Sequence, residues 1–159
     1  MKGSPKVIAM LNEALHEELV AISQYFLHAE MCENWHYHKL GAFIRKQSID
    51  EMRHAEKVIE RILFLDGIPN LSDGLELNIG ATVRDQLNND LKLEIGAVAM
   101  YNKAVEVARA AGDNATRELF ETLLKDEEAH VDWLEAQVHQ IKEVGYERYL
   151  TQQMGEGES

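Results

Sequence analysis

The chain has 159 residues, 45% hydrophobic and 28% charged, enough to bury the core of one soluble domain spanning residues 1–159. Its formal net charge of -12, with only 16 Lys and Arg, argues against nucleic acid as a partner, because phosphate binding is driven by clustered basic groups. Cys32 is the only cysteine, which excludes an intrachain disulfide and any zinc or iron–sulfur site built from cysteines.

Helical periodicity begins at Pro5, a residue suited to a first helical turn, and predicts a first helix over about 5–34. The brief junction "NWHYH" leads into a second over about 36–65. "DGIPNLSDG" then opens a longer connection to about residue 81, followed by a third helix over about 82–111. After "AAGDNAT", Asp113 or Asn114 can cap a fourth over about 114–144, and a short fifth follows at about 146–153. Short junctions join antiparallel neighbours, and the long one can run the length of a bundle. The expected fold is all-α, an antiparallel four-helix bundle with one long crossover and a short C-terminal helix, the topology of ferritin-like bundles. "MKGSPKVIAM" lacks the apolar core of a signal peptide, and no stretch approaches the roughly 18 apolar residues of a membrane span. A cytoplasmic protein is therefore expected.

The chain also repeats itself. An offset of 76 superposes Leu15 on Leu91, Glu18 on Glu94, Tyr25 on Tyr101, Asp50 on Asp126, Glu51 on Glu127 and His54 on His130. Each predicted hairpin thus carries one lone Glu and then a Glu-x-x-His, whose two members share a helical face. Those faces are apolar: Leu40, Ile44, Val58, Ile62 and Leu65 flank Glu51 and His54, and Phe120, Leu123, Leu134, Val138 and Ile141 flank Glu127 and His130. Leu11, Ala14, Ile22 and Ala29 surround Glu18 and Tyr25, while Leu87, Leu91, Val98 and Val105 surround Glu94 and Tyr101.

One unpaired buried carboxylate costs several kcal/mol, and four together repel one another. No Lys or Arg occurs in these stripes, whereas four carboxylates neutralise two divalent cations. A dinuclear metal centre follows, and oxygen with imidazole suits iron or manganese. One Glu-x-x-His alone reads as structural or solvated; two in register, each with its own buried Glu, do not. From spacing alone, Tyr25 and Tyr101 read as packing in preference to redox or hydrogen-bonding partners. His16, His28, His36, His38 and His139 show no such pairing and read as surface or packing residues. Met52 points away from the ligand face and forms an outward strip with Ile49 and Ile59, which spacing alone reads as dimer packing.

Through "NEALHEELVAISQYFLHAEM", "SIDEMRHAEKVIERILFLDGIPNL", "LKLEIGAV" and "LKDEEAHVDWLEAQV" the sequence resembles the bacterioferritins over nearly its whole length. The resemblance implies that Glu51 and Glu127 bridge two irons, with Glu18 and His54 completing one ion's ligands and Glu94 and His130 the other's. It implies a ferroxidase that uses dioxygen or peroxide, with ferric mineral stored in a shell of twenty-four subunits built from two-fold dimers. It further implies haem b shared between two subunits through Met52, which follows the first bridging Glu as the family's haem methionine does, and a ferredoxin-type reductant for iron release. Where several members carry His and Glu on the inner wall this chain has Lys46 and Gln47, although Asp50 remains, so a secondary iron site there is not implied. Two other readings compete: a haem-binding shell protein with a degenerate iron site, which the intact set of six opposes, and a rubrerythrin-like peroxidase. The rubredoxin part of that peroxidase needs four cysteines, and this chain has one. Non-haem ferritins usually lack the second Glu-x-x-His, and mini-ferritins place their ligands across a dimer interface.

Overall fold

Five helices account for the regular structure of the computed structural model, which describes residues 1–158: α1 (Pro5–Asn34), α2 (His38–Phe64), α3 (Val83–Ala110), α4 (Asn114–Val144) and α5 (Tyr146–Gln152). There is no strand among the described residues. The expected helices all form, with boundaries shifted by one or two residues at most. The largest shift is the start of α2, which moves from 36 to 38 because His36 takes a left-handed conformation (φ 63). The Tyr37 N–H then bonds back to the Cys32 carbonyl and closes α1. Asp66 (φ 59) closes α2 in the same way, with Gly67 N–H donating to the Ile62 carbonyl, and Gly112 (φ 70) closes α3, with Asp113 N–H donating to the Ala108 carbonyl. Three of the four long helices thus end on one device, which turns the chain sharply without leaving end carbonyls unpaired.

The α1–α2 and α3–α4 hairpins pack against each other chiefly through α1 and α3. α1 runs antiparallel to α2, as the bond from Ser48 Oγ to the Ile22 carbonyl at mid-helix and the Gly3–Leu65 backbone bond near one end record. The crossover between α2 and α3 is pinned along the length of α1. Asn12 holds Ile68 and Asn70, Gln24 accepts from Asn78 N–H, and His28 Nε2 accepts from Gly80 N–H. Gly80 lies so close to α3 that a Cβ there would collide with the Gln86 backbone nitrogen, so a side chain at this position would push the strap outward. His28 is therefore more than packing: buried, it also pairs through Nδ1 with Asp90 Oδ1 at 2.9 Å, and so joins α1, α3 and the crossover.

The helix caps tie the hairpins together as well as stopping them. The Asp113 carboxylate accepts from Thr116 N–H and from Arg61 Nη2 on α2, each at 3.0 Å. Burial alone would raise the Asp113 carboxyl, but the Thr116 bonds and the Arg61 charge outweigh it, and its pKa falls below the ordinary value. Its stabilisation is accordingly complete above the unfolded value of about 4 and is lost as acidification passes through the lower folded value. Asp113→Ala is expected to cost about 1 kcal/mol, typical of losing an N-cap, and to lower the thermal transition by about 2–4 °C at neutral pH. Calorimetric scans should show that difference shrinking as the pH drops toward 3. A transition unchanged at pH 7 would show that the cap is dispensable.

The apolar interior falls into two clusters. One gathers Leu11, Leu15, Val58, Ile62, Ala104, Phe120 and Leu123; the other gathers Ala29, Leu40, Ile44, Leu87, Leu134, Ile141 and Tyr149 of α5. α5 is tied down by Tyr149, whose hydroxyl donates to Gln137 Oε1 at 2.8 Å. Between the two clusters lies a layer of carboxylates and imidazoles.

Candidate metal centre

Each long helix delivers its charge to that layer because the carboxylate occupies a place in its apolar stripe. Packing the stripes together to bury Leu and Ile carries Glu18, Glu51, Glu94 and Glu127 to the bundle axis, each only 1–2% exposed. His54 and His130, one turn beyond Glu51 and Glu127, close over the layer from α2 and α4. Their rings stack with centroids 6.3 Å apart.

The six sequence-derived candidates form two groups of four. Glu18, Glu51, His54 and Glu127 offer ligand atoms within 4.8 Å of one another, as do Glu51, Glu94, Glu127 and His130. Glu51 and Glu127 belong to both groups. His54 Nδ1 lies 2.9 Å from Glu127 Oε1, 3.4 Å from Glu51 Oε2 and 3.6 Å from Glu18 Oε2. His130 Nδ1 lies 2.8 Å from Glu51 Oε1, 3.3 Å from Glu94 Oε1 and 3.7 Å from Glu127 Oε2. Both rings thus turn the same nitrogen to the carboxylates, and the two groups are related by the repeat that relates the hairpins.

Five atoms of this layer, Glu18 Oε2, Glu51 Oε1, His54 Nδ1, Glu94 Oε2 and Glu127 Oε1, are buried without a hydrogen-bond partner. His54 Nδ1 and Glu127 Oε1 are close enough to attract as charges but are not aligned as a hydrogen bond. Five such atoms in one place are more than a folded core tolerates for packing alone. They are what a pair of hard cations bound by oxygen and imidazole would satisfy, so the residues fit a metal centre.

Electrostatics describe the same site loaded with protons. Burial, and then the charge of Glu51, hold the Glu18 carboxyl well above the ordinary carboxylate range. Burial, and then contact with Glu127, do so for Glu94. Burial would also raise Glu51, but the close approach of Glu18, His130 and His54 pulls it down instead. Burial disfavours the charged imidazoles, yet the surrounding carboxylates more than offset this, raising His54 and pushing His130 up to about 12. Protons hold the carboxylates together where no cation does, so a divalent ion would have to bind in competition with them.

Sequence reasoning missed three features. Tyr25 and Tyr101 do not merely pack: the Tyr25 hydroxyl on α1 donates to Glu94 on α3, and the Tyr101 hydroxyl on α3 donates to Glu18 on α1. Period alone cannot show this, since a buried tyrosine and a donating one occupy the same stripe, but their pairing in the 76-residue repeat was a signal. The third feature is Asp126, which lies 3.0 Å from His54 Nε2. Met52 lies off the centre altogether, 49% exposed on α2 beside Ile49 at 42%, facing outward as its register requires. Ile59, the other member of that strip, is only partly buried and packs against the core from its edge. Lys46 is exposed whereas Gln47 is buried, so this pair does not form one surface.

Comparison with known proteins gives one family. The family model of the ferritin-like domain matches residues 8–144. The chain is 46% identical to the bacterioferritin of Brucella melitensis over 149 residues, covering 94% of this chain and 92% of that protein. It is 43% identical to the bacterioferritin of Mycolicibacterium paratuberculosis over 152 residues, covering 96% of each. A bacterioferritin of Streptomyces coelicolor is 42% identical over 151 residues, covering 95% of this chain and 90% of that one.

Proposed function

This chain belongs to the ferritin-like proteins and, within them, to the bacterioferritins, and from that premise we propose that it is a ferroxidase that stores iron inside a closed shell of its own copies. The observation that carries the reading is the pair of four-residue groups sharing Glu51 and Glu127. In this reading those two carboxylates would serve both of two iron positions. Glu18 and His54 complete one position, and Glu94 and His130 the other. Two ferrous ions bound there supply two electrons, enough with two protons to convert dioxygen to hydrogen peroxide, or peroxide to two waters.

The chain's own residues prepare that exchange. Tyr25 and Tyr101 each donate to one oxygen of Glu94 and Glu18, respectively, and the other oxygen of each carboxylate has no hydrogen-bond partner and would be free for an ion. The apolar clusters above and below the layer exclude water and keep the four charges close together. Asp50, Arg53, Lys57 and Asp126 line a cleft of about 330 Å³ that opens over the two imidazoles, a route by which ions reach or leave the ligands.

The outward Met52 and Ile49 suit a two-fold contact in which each subunit offers the same face, with haem b held between two Met52 thioethers. The haem would supply an electron path for reducing stored ferric iron, with a ferredoxin-type protein as the electron source. No helix among the described residues is long and apolar enough to cross a membrane, which is compatible with work in the cytoplasm.

Assembly is checked separately from chemistry. Ile49 and Met52 on α2, Phe26 on α1, and Phe64, Ile68 and Leu71 at and beyond the end of α2 are large apolar side chains exposed on the 18.1 kDa chain, and contacts between copies would cover them. At micromolar concentration and neutral pH the purified protein is expected to run as a single several-hundred-kilodalton particle, consistent with twenty-four subunits. A monodisperse monomer in light scattering would overturn the shell.

A further inference from the structure

The internal repeat gives both halves of the centre the same ligands, so a difference between them must come from the side chains around them. The halves do differ. His54 makes a second contact, its Nε2 lying 3.0 Å from Asp126 Oδ2. Under the offset of 76 the counterpart is His130 with Asp50. That contact is not made among the described residues: His130 is engaged only through Nδ1, while Asp50 turns to Arg53, with 3.6 Å between Oδ1 and Nη1. The position equivalent to Arg53 is Ala129, which has no charge to draw Asp126 aside. Exposure follows the same division, the His54 side chain being 5% exposed and that of His130 12%.

Resting on the reading of the six residues as metal ligands, we infer that Asp126 is a positioning residue that makes the Glu18–His54 half the tighter of two unequal metal positions, and that Arg53 denies the His130 half the same support. The chemistry is that of an acceptor behind a ligand. A carboxylate that accepts a hydrogen bond from Nε2–H keeps the proton there and so fixes the tautomer in which the Nδ1 lone pair is free for the ion. It also stops the ring from rotating and makes Nδ1 more basic. His130 has none of these three advantages. The repeat thereby yields one position that fills first and holds, and a second, less firmly supported, that fills and empties more readily.

Binding of redox-inert ions tests this apart from oxidation. The metal-free assembled protein is titrated with Zn²⁺ by calorimetry and with Co²⁺ by visible absorbance, and binding that persists in Glu127→Ala is subtracted as surface binding. Wild type is expected to show two unequal steps per subunit. Asp126→Ala should weaken the tighter step about 10- to 100-fold, the usual cost of losing such a partner, and leave the weaker one alone. Asp126→Asn, whose amide oxygen still accepts the N–H but carries no charge, should recover part of the loss. Arg53→Ala, which frees Asp50 to turn toward His130, should tighten the weaker step. Two equal steps in wild type, or a loss shared equally by both steps in Asp126→Ala with an unchanged thermal transition, would overturn the inference. Absence of any subtractable binding in wild type would instead overturn the metal centre on which it rests.

Discussion

Glu127→Ala is expected to slow the rapid phase of ferrous oxidation by at least about tenfold, since removing even a residue that only orients a metal ligand costs 10- to 100-fold, and a bridging carboxylate touches both ions. Glu127 lies in both four-residue groups, 1% exposed. Its loss would take two oxygens and one of the four charges from the proposed centre, and it leaves His54 Nδ1 without its nearest carboxylate. Glu51→Ala should behave alike, and Glu18→Ala, whose residue serves one group only, should leave more activity. Glu106→Ala is the control: that carboxylate pairs with Arg109 on the surface, 63% exposed, where an ion pair contributes little. Stopped-flow absorbance of ferric product, at two ferrous ions per subunit under dioxygen, reads the rate. Oxidation by Glu127→Ala at the wild-type rate would remove Glu127 from the centre.

That the six side chains would gather in one buried layer was legible in the sequence, for a physical reason. A carboxylate in an apolar stripe violates the rule that buried charge is paired, and a violation repeated at one offset in both hairpins points to one shared site. The stripe gives the face and the repeat gives the partner, so Glu18, Glu51, His54, Glu94, Glu127 and His130 could be joined before any coordinates were known. The fold followed from the same periodicity, because helix length and connection length together fix which helices are antiparallel neighbours. What stayed hidden depends on side-chain contacts between elements. Tyr25 and Glu94 are 69 residues apart and meet only once α1 and α3 are packed. His28, one of several histidines without a pattern, is a core residue because the crossover happens to pass Gly80 beside it. Asp126 was visible as a repeat partner of Asp50, but the repeat predicts equal roles for the two. The difference between Arg53 and Ala129 makes them unequal. Where helices start was least legible: a left-handed His36 cannot be read from periodicity, since even the residue types enriched in that conformation, His among them, adopt it at a minority of positions.

The second large effect is expected from Met52→Leu, which should reduce bound haem to near zero while leaving assembly and ferrous oxidation close to wild type. Leu keeps the size and apolarity of Met, and such swaps usually cost less than about 1.5 kcal/mol even in a packed core, so a dimer face built around Met52 and Ile49 should still close. The side chain is half-exposed and turned away from Glu51 and His54, so the centre does not feel the change. What is lost is the sulfur. In the proposed two-fold dimer Met52 would meet its copy across an isologous contact, and the two thioethers would be the groups available to hold a haem there. Two neutral thioethers leave the charge of a haem iron unopposed by axial anions and favour its ferrous form, in line with the raised potentials of methionine-ligated cytochromes. Such a group suits delivery of electrons inward, which release requires because ferric mineral must be reduced before its iron can leave. The variant should therefore load iron normally and release it slowly to an external reductant. Visible spectra of purified wild type and variant, with ferrous chelation assays on mineral-loaded shells, separate the possibilities. Full haem content with an unchanged spectrum in Met52→Leu would leave the outward strip as dimer packing alone. Haem lost with release undiminished would keep Met52 as the ligand and assign the electron path elsewhere in the shell wall.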